Sequence, residues 1–158
     1  KKGGVSEGEM EQRVKESLAL VDLDGFQNRL PAELSGGQRK RAGLARAIAY
    51  RPKYLLYDEP TSGLDPVTTT VIDRLIQRMK DELKVTSLVI THDMKSAYTV
   101  SDRIAMLYEG RVVQVGTPDE IRNSDNDIVR SFVEGRAELA HDAETPLPDD
   151  GGPHGRNR

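Results

Sequence analysis

The sequence contains no cysteine and no tryptophan, and only 4% of its 158 residues are aromatic. Without thiols there are no disulfides and no thiolate metal ligands, and three scattered histidines form no zinc pattern. The net charge of -3 provides no basic surplus, and the few aromatic side chains provide no stacking platform for bases. We therefore expect no nucleic acid among the partners.

Long apolar runs are also missing. No stretch approaches the ~20 apolar residues that are needed to cross a bilayer. The first ten residues, KKGGVSEGEM, lack the apolar stretch of a signal peptide. With 36% hydrophobic residues and a mean hydropathy of -0.59, we expect one soluble, unexported domain with a lean core.

The residue patterns that remain alternate between helix and strand, which predicts an α/β fold. A capping box at Ser6 and Glu9 opens a helix over 6–21, and Asp65 opens another helix after an apolar run at 54–57. That run predicts a fully buried strand, and a second apolar, β-branched run follows at 85–91. Strand, helix and strand in this order predict a right-handed βαβ crossover in a parallel sheet.

Two further strand-like runs, 104–108 and 112–115, flank the short connection at 109–111 and predict a hairpin. We expect this hairpin at the antiparallel edge of the same sheet. A short helix begins at Pro118, and one more apolar stripe follows before the pattern ends. Residues 137–158 have no periodic apolar positions and predict a disordered tail.

The stretch LSGGQRKR, residues 34–41, places two glycines at a helix start and three cations directly behind Gln38. Ser35 is a favourable N-cap, and Gln38 three residues later completes a capping box. Because Gly36 and Gly37 carry no side chain, a phosphate can approach the unpaired N–H groups of the first turn, with adjustable hydrogen bonds from the Ser35 hydroxyl and the Gln38 amide. The alternative is a flexible turn before a helix with a solvated basic face.

Two adjacent carboxylates, Asp58 and Glu59, leave the strand at 54–57 at its carboxyl end, where α/β sheets bind ligands. Their mutual repulsion favours a divalent cation: Asp58 is the candidate Mg²⁺ ligand, and Glu59 the base that deprotonates an attacking water. The alternative is a solvated exit from the strand.

His92 follows the second strand in the same relative position, so we expect it near the carboxylate pair, where it can bond a terminal phosphate oxygen. A packing or capping role is the alternative for this histidine. Asp65 is the N-cap of the following helix, and the residues alone assign it nothing more.

Together, LSGGQRKRAGLARAIAYRPKYLLYDEPTSGLD and the later VITHD resemble the second half of the ATPase domain of ABC transporters. The match comprises a signature loop (34–38), a Walker B strand with its catalytic glutamate (54–59), a D-loop (62–65) and a switch histidine (His92), in the family's order. The resemblance runs from Val5 to about residue 138. The stretch after the D-loop is most similar to the ATPase subunit of Mla-type phospholipid transport systems.

This resemblance implies a P-loop NTPase-like parallel sheet with flanking helices. Residues 1–136 would form part of an ABC ATPase domain, with helical subdomain and signature helix at 1–50. The Walker B strand, the D-loop, the switch histidine and the C-terminal hairpin and helix would occupy 51–136.

The resemblance also implies ATP and Mg²⁺ as cofactors and assigns roles to the candidate residues. These are catalysis by Glu59 and His92, metal binding by Asp58, and nucleotide binding by Ser35, Gly36, Gly37, Gln38 and Asp65. In this family two domains dimerise head to tail, and each signature loop completes the nucleotide site of its partner's P-loop. The helix at Ser35 would then hold the γ-phosphate of ATP on the second ATPase subunit, and transmembrane permease subunits would place the dimer on the cytoplasmic face of the inner membrane.

The family's P-loop motif, G-x-x-x-x-G-K-[ST], does not occur in these residues. Gly3 and Gly8 have its glycine spacing, but Glu9 and Met10 follow, which puts a carboxylate where a phosphate needs a cation. We therefore expect a fragment of a longer ATPase, from a transporter that moves lipid or another solute.

Two other functions stay open. The chain could be catalytically silent and donate only the signature loop and the dimer surface. It could also be the head of a DNA-repair or chromosome-type ATPase, although the sequence lacks the heptad runs of those proteins.

Overall fold

The computed structural model describes residues 5–136 and has an α/β fold. The helices are α1 (Glu7–Leu20), α2 (Gly36–Ile48), α3 (Pro66–Leu83), α4 (Met94–Val100), α5 (Pro118–Arg122) and α6 (Asp127–Glu134). The strands are β1 (Tyr54–Asp58), β2 (Thr86–Ile90), β3 (Ile104–Tyr108) and β4 (Arg111–Gly116). None of the helices in this part of the chain is long and apolar enough to span a membrane. The chain divides into two compact units, one ending at Ile104 and one starting at Ala105.

The predicted helix starts are confirmed. Ser6, Ser35 and Asp65 each cap a helix with an extended backbone and a side-chain oxygen that accepts a hydrogen bond from a first-turn N–H group. The capping box at Ser6 forms only in part, because the carboxylate of Glu9 pairs with Arg13 at 2.6 Å. Short side-chain signals thus set where these helices begin.

The βαβ unit pairs β1 with β2 in parallel, as predicted, with Asp58 opposite Ile90 in the register. The prediction of a fully buried first strand is wrong: Leu55 and Tyr57 are buried, whereas Leu56 is 74% exposed. Ile90 on β2 is also exposed. The described elements cover one face of this two-stranded sheet and leave the other uncovered, which gives the strands an alternating burial pattern.

Two clusters of apolar side chains hold the first unit together. One lies between the covered face of β1 and the apolar stripe of α3, and it includes Leu55, Ile72 and Met79. The other lies where the end of α1 meets α2 and α3, around Val21 and Leu23. Both clusters keep the ends of α2, α3 and the two strands in fixed positions.

The hairpin predicted at 104–115 forms, with the two-residue turn Glu109-Gly110 between β3 and β4. Both turn residues have positive φ angles, +47° and +72°, which is the backbone of a type I′ turn between antiparallel strands. The prediction that the hairpin extends the parallel sheet is wrong, because β3 and β4 form a two-stranded sheet of their own within residues 5–136. In this unit, α5 and α6 pack on β4.

Two predictions on the organisation of the chain stay predictions. The predicted tail at 137–158 lies outside the described residues. The predicted boundary between residues 50 and 51 falls inside the first compact unit and stays a prediction.

Candidate functional site

The start of α2 presents two free N–H groups. Ser35 Oγ accepts a hydrogen bond from the Gln38 N–H at 3.2 Å, and Gln38 Oε1 accepts one from the Ser35 N–H at 2.8 Å. This capping box leaves the N–H groups of Gly36 and Gly37 without an acceptor among residues 5–136. Gly36 is exposed, and a methyl group built on it would meet no atom within 4 Å. An anion therefore has open access to the amide of Gly36, and the amide of the half-buried Gly37 is the next donor of the same turn.

The capping box also uses some of the polar groups of Ser35 and Gln38 that were predicted to bind phosphate. One lone pair of the Ser35 hydroxyl and the Gln38 carbonyl oxygen are occupied within the box. The donors that remain are the Ser35 hydroxyl proton and the Gln38 side-chain NH₂ group. These are still suitable partners for a phosphate oxygen.

Two of the three cations behind Gln38 have structural roles. Arg39 donates to the Leu34 carbonyl at 2.6 Å. Arg41 donates to the carbonyls of Val21 and Asp22 at 3.2 and 3.1 Å. These guanidinium groups hydrogen-bond the residue before the cap of α2 and the turn after α1, so the alternative of a solvated basic face does not describe all that these cations do.

Glu59 and His92 meet where β1 and β2 end. The backbone N–H of Glu59 donates to the Ile90 carbonyl at 2.9 Å, and Glu59 adopts a left-handed conformation with φ +46°. Its Oε1 accepts from the His92 backbone N–H at 3.1 Å and lies 2.9 Å from Nδ1 of the same residue. A carboxylate only accepts hydrogen bonds, so Nδ1 of His92 is the donor in this contact. For Nε2 to donate to a phosphate oxygen at the same time, the imidazole ring must carry a proton on both nitrogens.

The second carboxylate oxygen of Glu59, Oε2, is buried and receives no hydrogen bond from the described residues. Asp58 beside it is exposed, and no side chain in residues 5–136 donates to its carboxylate. No group of three or more metal-ligating side chains exists in that part of the chain. The pair thus suits an ion that takes one carboxylate and keeps most of its ligands as water or substrate oxygens, as Mg²⁺ does.

Asp65 forms a tight cap on α3. Its Oδ1 accepts from the N–H groups of Val67 and Thr68, both at 3.0 Å, and its Oδ2 accepts from the Thr68 hydroxyl at 2.5 Å. The Thr68 hydroxyl and then the Thr68 N–H lower the pKa of Asp65, so the carboxylate is ionised at neutral pH. The predicted cap is confirmed, and any contact of Asp65 with nucleotide stays a prediction.

A buried carboxyl that the sequence did not predict lies near the cap of α4. Asp73 on α3 is 5% exposed, and Ser96 Oγ lies 3.0 Å from its Oδ2 and 3.2 Å from Oδ2 of Asp93, the cap of α4. One hydroxyl proton cannot serve both carboxylates at once. Burial raises the pKa of Asp73, and the charge of Asp93 adds to that rise. The sequence does not predict the burial of Asp73, because that burial depends on how α4 packs against α3.

We expect Asp73→Asn to stabilise the protein at pH 8 by about 1 kcal/mol, since an amide accepts the Ser96 bond without a buried charge. Because the pKa of Asp73 is raised in the folded state, its carboxyl group contributes stability at low pH. This contribution is lost as the pH rises from 3.8, the ordinary pKa of an aspartate, through the pKa of Asp73 in the folded protein. Urea unfolding at pH 4.5 and 8 should therefore show a gain that is larger at pH 8. The control is Asp81→Asn on the exposed side of α3, and an equal gain at both pH values would contradict the prediction.

The chain is similar to known proteins over most of its length. A family model described as ABC transporter matches residues 2–62. The sulfate/thiosulfate import ATP-binding protein CysA of Bacillus cereus is 45% identical over 133 residues. This chain belongs to the ABC transporter ATP-binding family. The ABC family is a class of ATP-hydrolysing enzymes, with ATP and Mg²⁺ as their cofactors.

The alignment with CysA covers 84% of this ABC chain and 37% of the relative, so the chain spans little more than a third of that protein. The probable ribonucleotide transport ATP-binding protein mkl of Mycobacterium bovis is 44% identical, over 82% of this chain and 36% of the relative. A solved structure of the ATP-binding cassette MJ0796, dimeric and bound to ADP and Pi, is 35% identical with a TM-score of 0.62. The match with MJ0796 covers 75% of this chain and 51% of the MJ0796 chain.

Proposed function

We propose that this chain is part of the ATP-binding, ATP-hydrolysing subunit of an ABC transporter. The observation that carries the proposal is the contact of Glu59 with His92 at the ends of two paired parallel strands. The same compact unit presents the free amides of Gly36 and Gly37. The groups that we propose for catalysis and for phosphate binding thus belong to one compact unit.

In the proposed reaction Glu59 is the general base. Its Oε1 is held by the backbone and ring of His92, so the carboxylate has a fixed orientation. Its Oε2 is buried and has no donor among the described residues, so it is the oxygen that would take the proton of an attacking water once that water has entered the site. His92 therefore orients the base in this structure, and its exposed Nε2 can bond a phosphate oxygen when the ring carries both protons.

Asp58 is the residue that would hold Mg²⁺. Its exposed carboxylate stands at the end of β1, next to Glu59 and free of other donors in residues 5–136. When bound, Mg²⁺ supplies positive charge that offsets the charge on the phosphate oxygens and on the two adjacent carboxylates.

The amides of Gly36 and Gly37 would bind the terminal phosphate of ATP on a second ATPase subunit in a head-to-tail dimer. The helix dipole and the two donors favour the extra negative charge of that phosphate. The dimeric state of MJ0796, bound to ADP and Pi, supports such an assembly. Transmembrane permease subunits would hold the dimer at the cytoplasmic face of the membrane.

For the cargo we propose a lipid, supported by the resemblance of the stretch after the D-loop to Mla-type subunits. The two relatives above are named for sulfate/thiosulfate and for ribonucleotide transport, so cargo differs within the family. Transport assays on the ATPase reconstituted with its membrane subunits decide this point. Movement of labelled phospholipid supports the lipid proposal, and movement of sulfate or nucleotide alone contradicts it.

The absence of native cysteine allows a direct test of the phosphate site. We expect a thiol introduced by Gly36→Cys to react readily with a maleimide, since a helix start lowers the pKa of a thiol. ATP with Mg²⁺ should slow this reaction at least tenfold in the assembled dimer, because a bound phosphate covers the first turn.

The matched control is Gly43→Cys, farther along the exposed side of the same helix. Its labelling should not respond to ATP. Equal labelling of Gly36→Cys with and without ATP would contradict the proposed site.

A further inference from the structure

The starts of α2 and α3 touch at one point. A methyl group built on Gly37 would lie 3.0 Å from Cγ2 of Thr68, closer than ordinary van der Waals contact. The same group built on Gly36 or Gly43 would meet no atom within 4 Å. Thr68 therefore limits position 37 to glycine for a packing reason that does not apply to the other glycines of α2.

Thr68 cannot turn its methyl away at small cost. Its hydroxyl donates to Asp65 Oδ2 at 2.5 Å, and its backbone N–H donates to Asp65 Oδ1 at 3.0 Å. Rotation about χ1 that moves Cγ2 also moves Oγ1, which would break the bond to a charged acceptor. The cap of α3 thus holds the methyl group against Gly37.

The same cap is joined to Glu59 by two short turns. The N–H of Ser62 donates to the Glu59 carbonyl at 3.2 Å, and the N–H of Leu64 donates to the Thr61 carbonyl at 3.2 Å. Thr61 is buried, so this segment has little freedom to shift. A continuous series of contacts leads from Glu59 through Asp65 and Thr68 to Gly37.

We propose that Thr68 is a positioning residue that fixes the phosphate-facing amide of Gly37 relative to the D-loop carboxylate of Asp65. For its functional consequence the inference rests on the proposed function. Under that function, Glu59 acts at one nucleotide and Gly37 contacts another. Thr68 then links the two nucleotide sites through one subunit.

The first test is a double-mutant cycle by thermal unfolding of the chain without nucleotide. Gly37→Ala should lower Tm by about 3 °C, because the added methyl group must displace Thr68. Thr68→Ser keeps the hydroxyl that bonds Asp65 and removes Cγ2, so it should restore the Tm of the Gly37→Ala protein to that of Thr68→Ser alone. Gly36→Ala is the matched control and should not lower Tm.

Additive shifts in the double variant, or equal effects of Gly36→Ala and Gly37→Ala, would overturn the inference. Thr68→Val serves as a second variant, because it keeps a methyl group at Cγ2 and loses the hydroxyl. Because a valine in a helix has one strongly preferred χ1 rotamer, its methyl group should stay against position 37 without the hydroxyl bond, and the Tm of the Gly37→Ala protein should not be restored.

The second test is ATP turnover of the assembled dimer. Gly37→Ala should reduce turnover roughly tenfold by displacing the amide, and Thr68→Ser should recover most of that loss. Recovery of Tm without recovery of turnover would overturn the positioning role. If the wild-type assembly hydrolyses no ATP, the proposed function fails, and the unfolding cycle still decides whether Thr68 and Gly37 are coupled.

Discussion

Replacing Glu59 with glutamine is expected to reduce ATP turnover of the assembled protein by about 10²–10⁴-fold, the range that a positioned general base contributes. Glutamine is isosteric, and its Oε1 can still accept from the His92 N–H, so the ends of β1 and β2 should keep their positions. The amide cannot take a proton from water. We therefore expect ATP to stay bound and the dimer to accumulate, measured by turnover assays and by light scattering.

Glu109→Gln is the matched control for this substitution. Glu109 also follows a strand and also has a left-handed backbone, with φ +47° against +46° for Glu59. It is exposed in the turn of the β3–β4 hairpin, and its replacement should leave turnover unchanged. Near-normal turnover of Glu59→Gln would remove Glu59 from the base role. Absence of turnover in the wild-type assembly would favour a silent chain that supplies only the signature loop.

Replacing Gly36 with glutamate is expected to abolish ATP-dependent dimer formation and to lower turnover by roughly 10²-fold or more, as loss of preorganised phosphate contacts does in other sites. The new carboxylate would compete for the two free amides and repel a phosphate. An acidic residue in the first turn stabilises a helix, so the loss should occur in a folded protein. Sedimentation with ATP and circular dichroism together check this.

The control for Gly36→Glu is Gly43→Glu, which places the same charge on an exposed part of α2, away from its N-terminus. Turnover and dimer formation should persist in that variant. ATP-dependent dimer formation by Gly36→Glu at the wild-type ATP concentration would contradict a phosphate site at the start of α2.

Local features of this chain were predictable from its residues, whereas long-range features were predictable only in part. The caps at Ser35 and Asp65 were predictable because a cap depends on residues two or three positions apart. The parallel pairing of β1 and β2 followed from the connecting helix. The burial of β1 was not predictable, because an apolar run does not indicate whether other elements cover one face of the strand or both.

The hairpin shows the same limit. Its turn is set by Glu109 and Gly110, whose backbone angles the two-residue connection requires. The sequence of residues 104–116 does not indicate which sheet the hairpin joins, since the free backbone groups at the edge of a hairpin can pair with any strand. The predicted edge position was wrong for that reason.

By itself, the sequence determined the order of the elements, the capped helix starts and the acidic pair at the end of β1. Each of these depends on residues that are neighbours along the chain. Only the tertiary structure decided that His92 holds one oxygen of Glu59, that Arg41 is used to fasten a turn, and that Thr68 lies against Gly37. These contacts join residues that lie 20 to 33 positions apart, and their distances depend on how whole helices and strands pack.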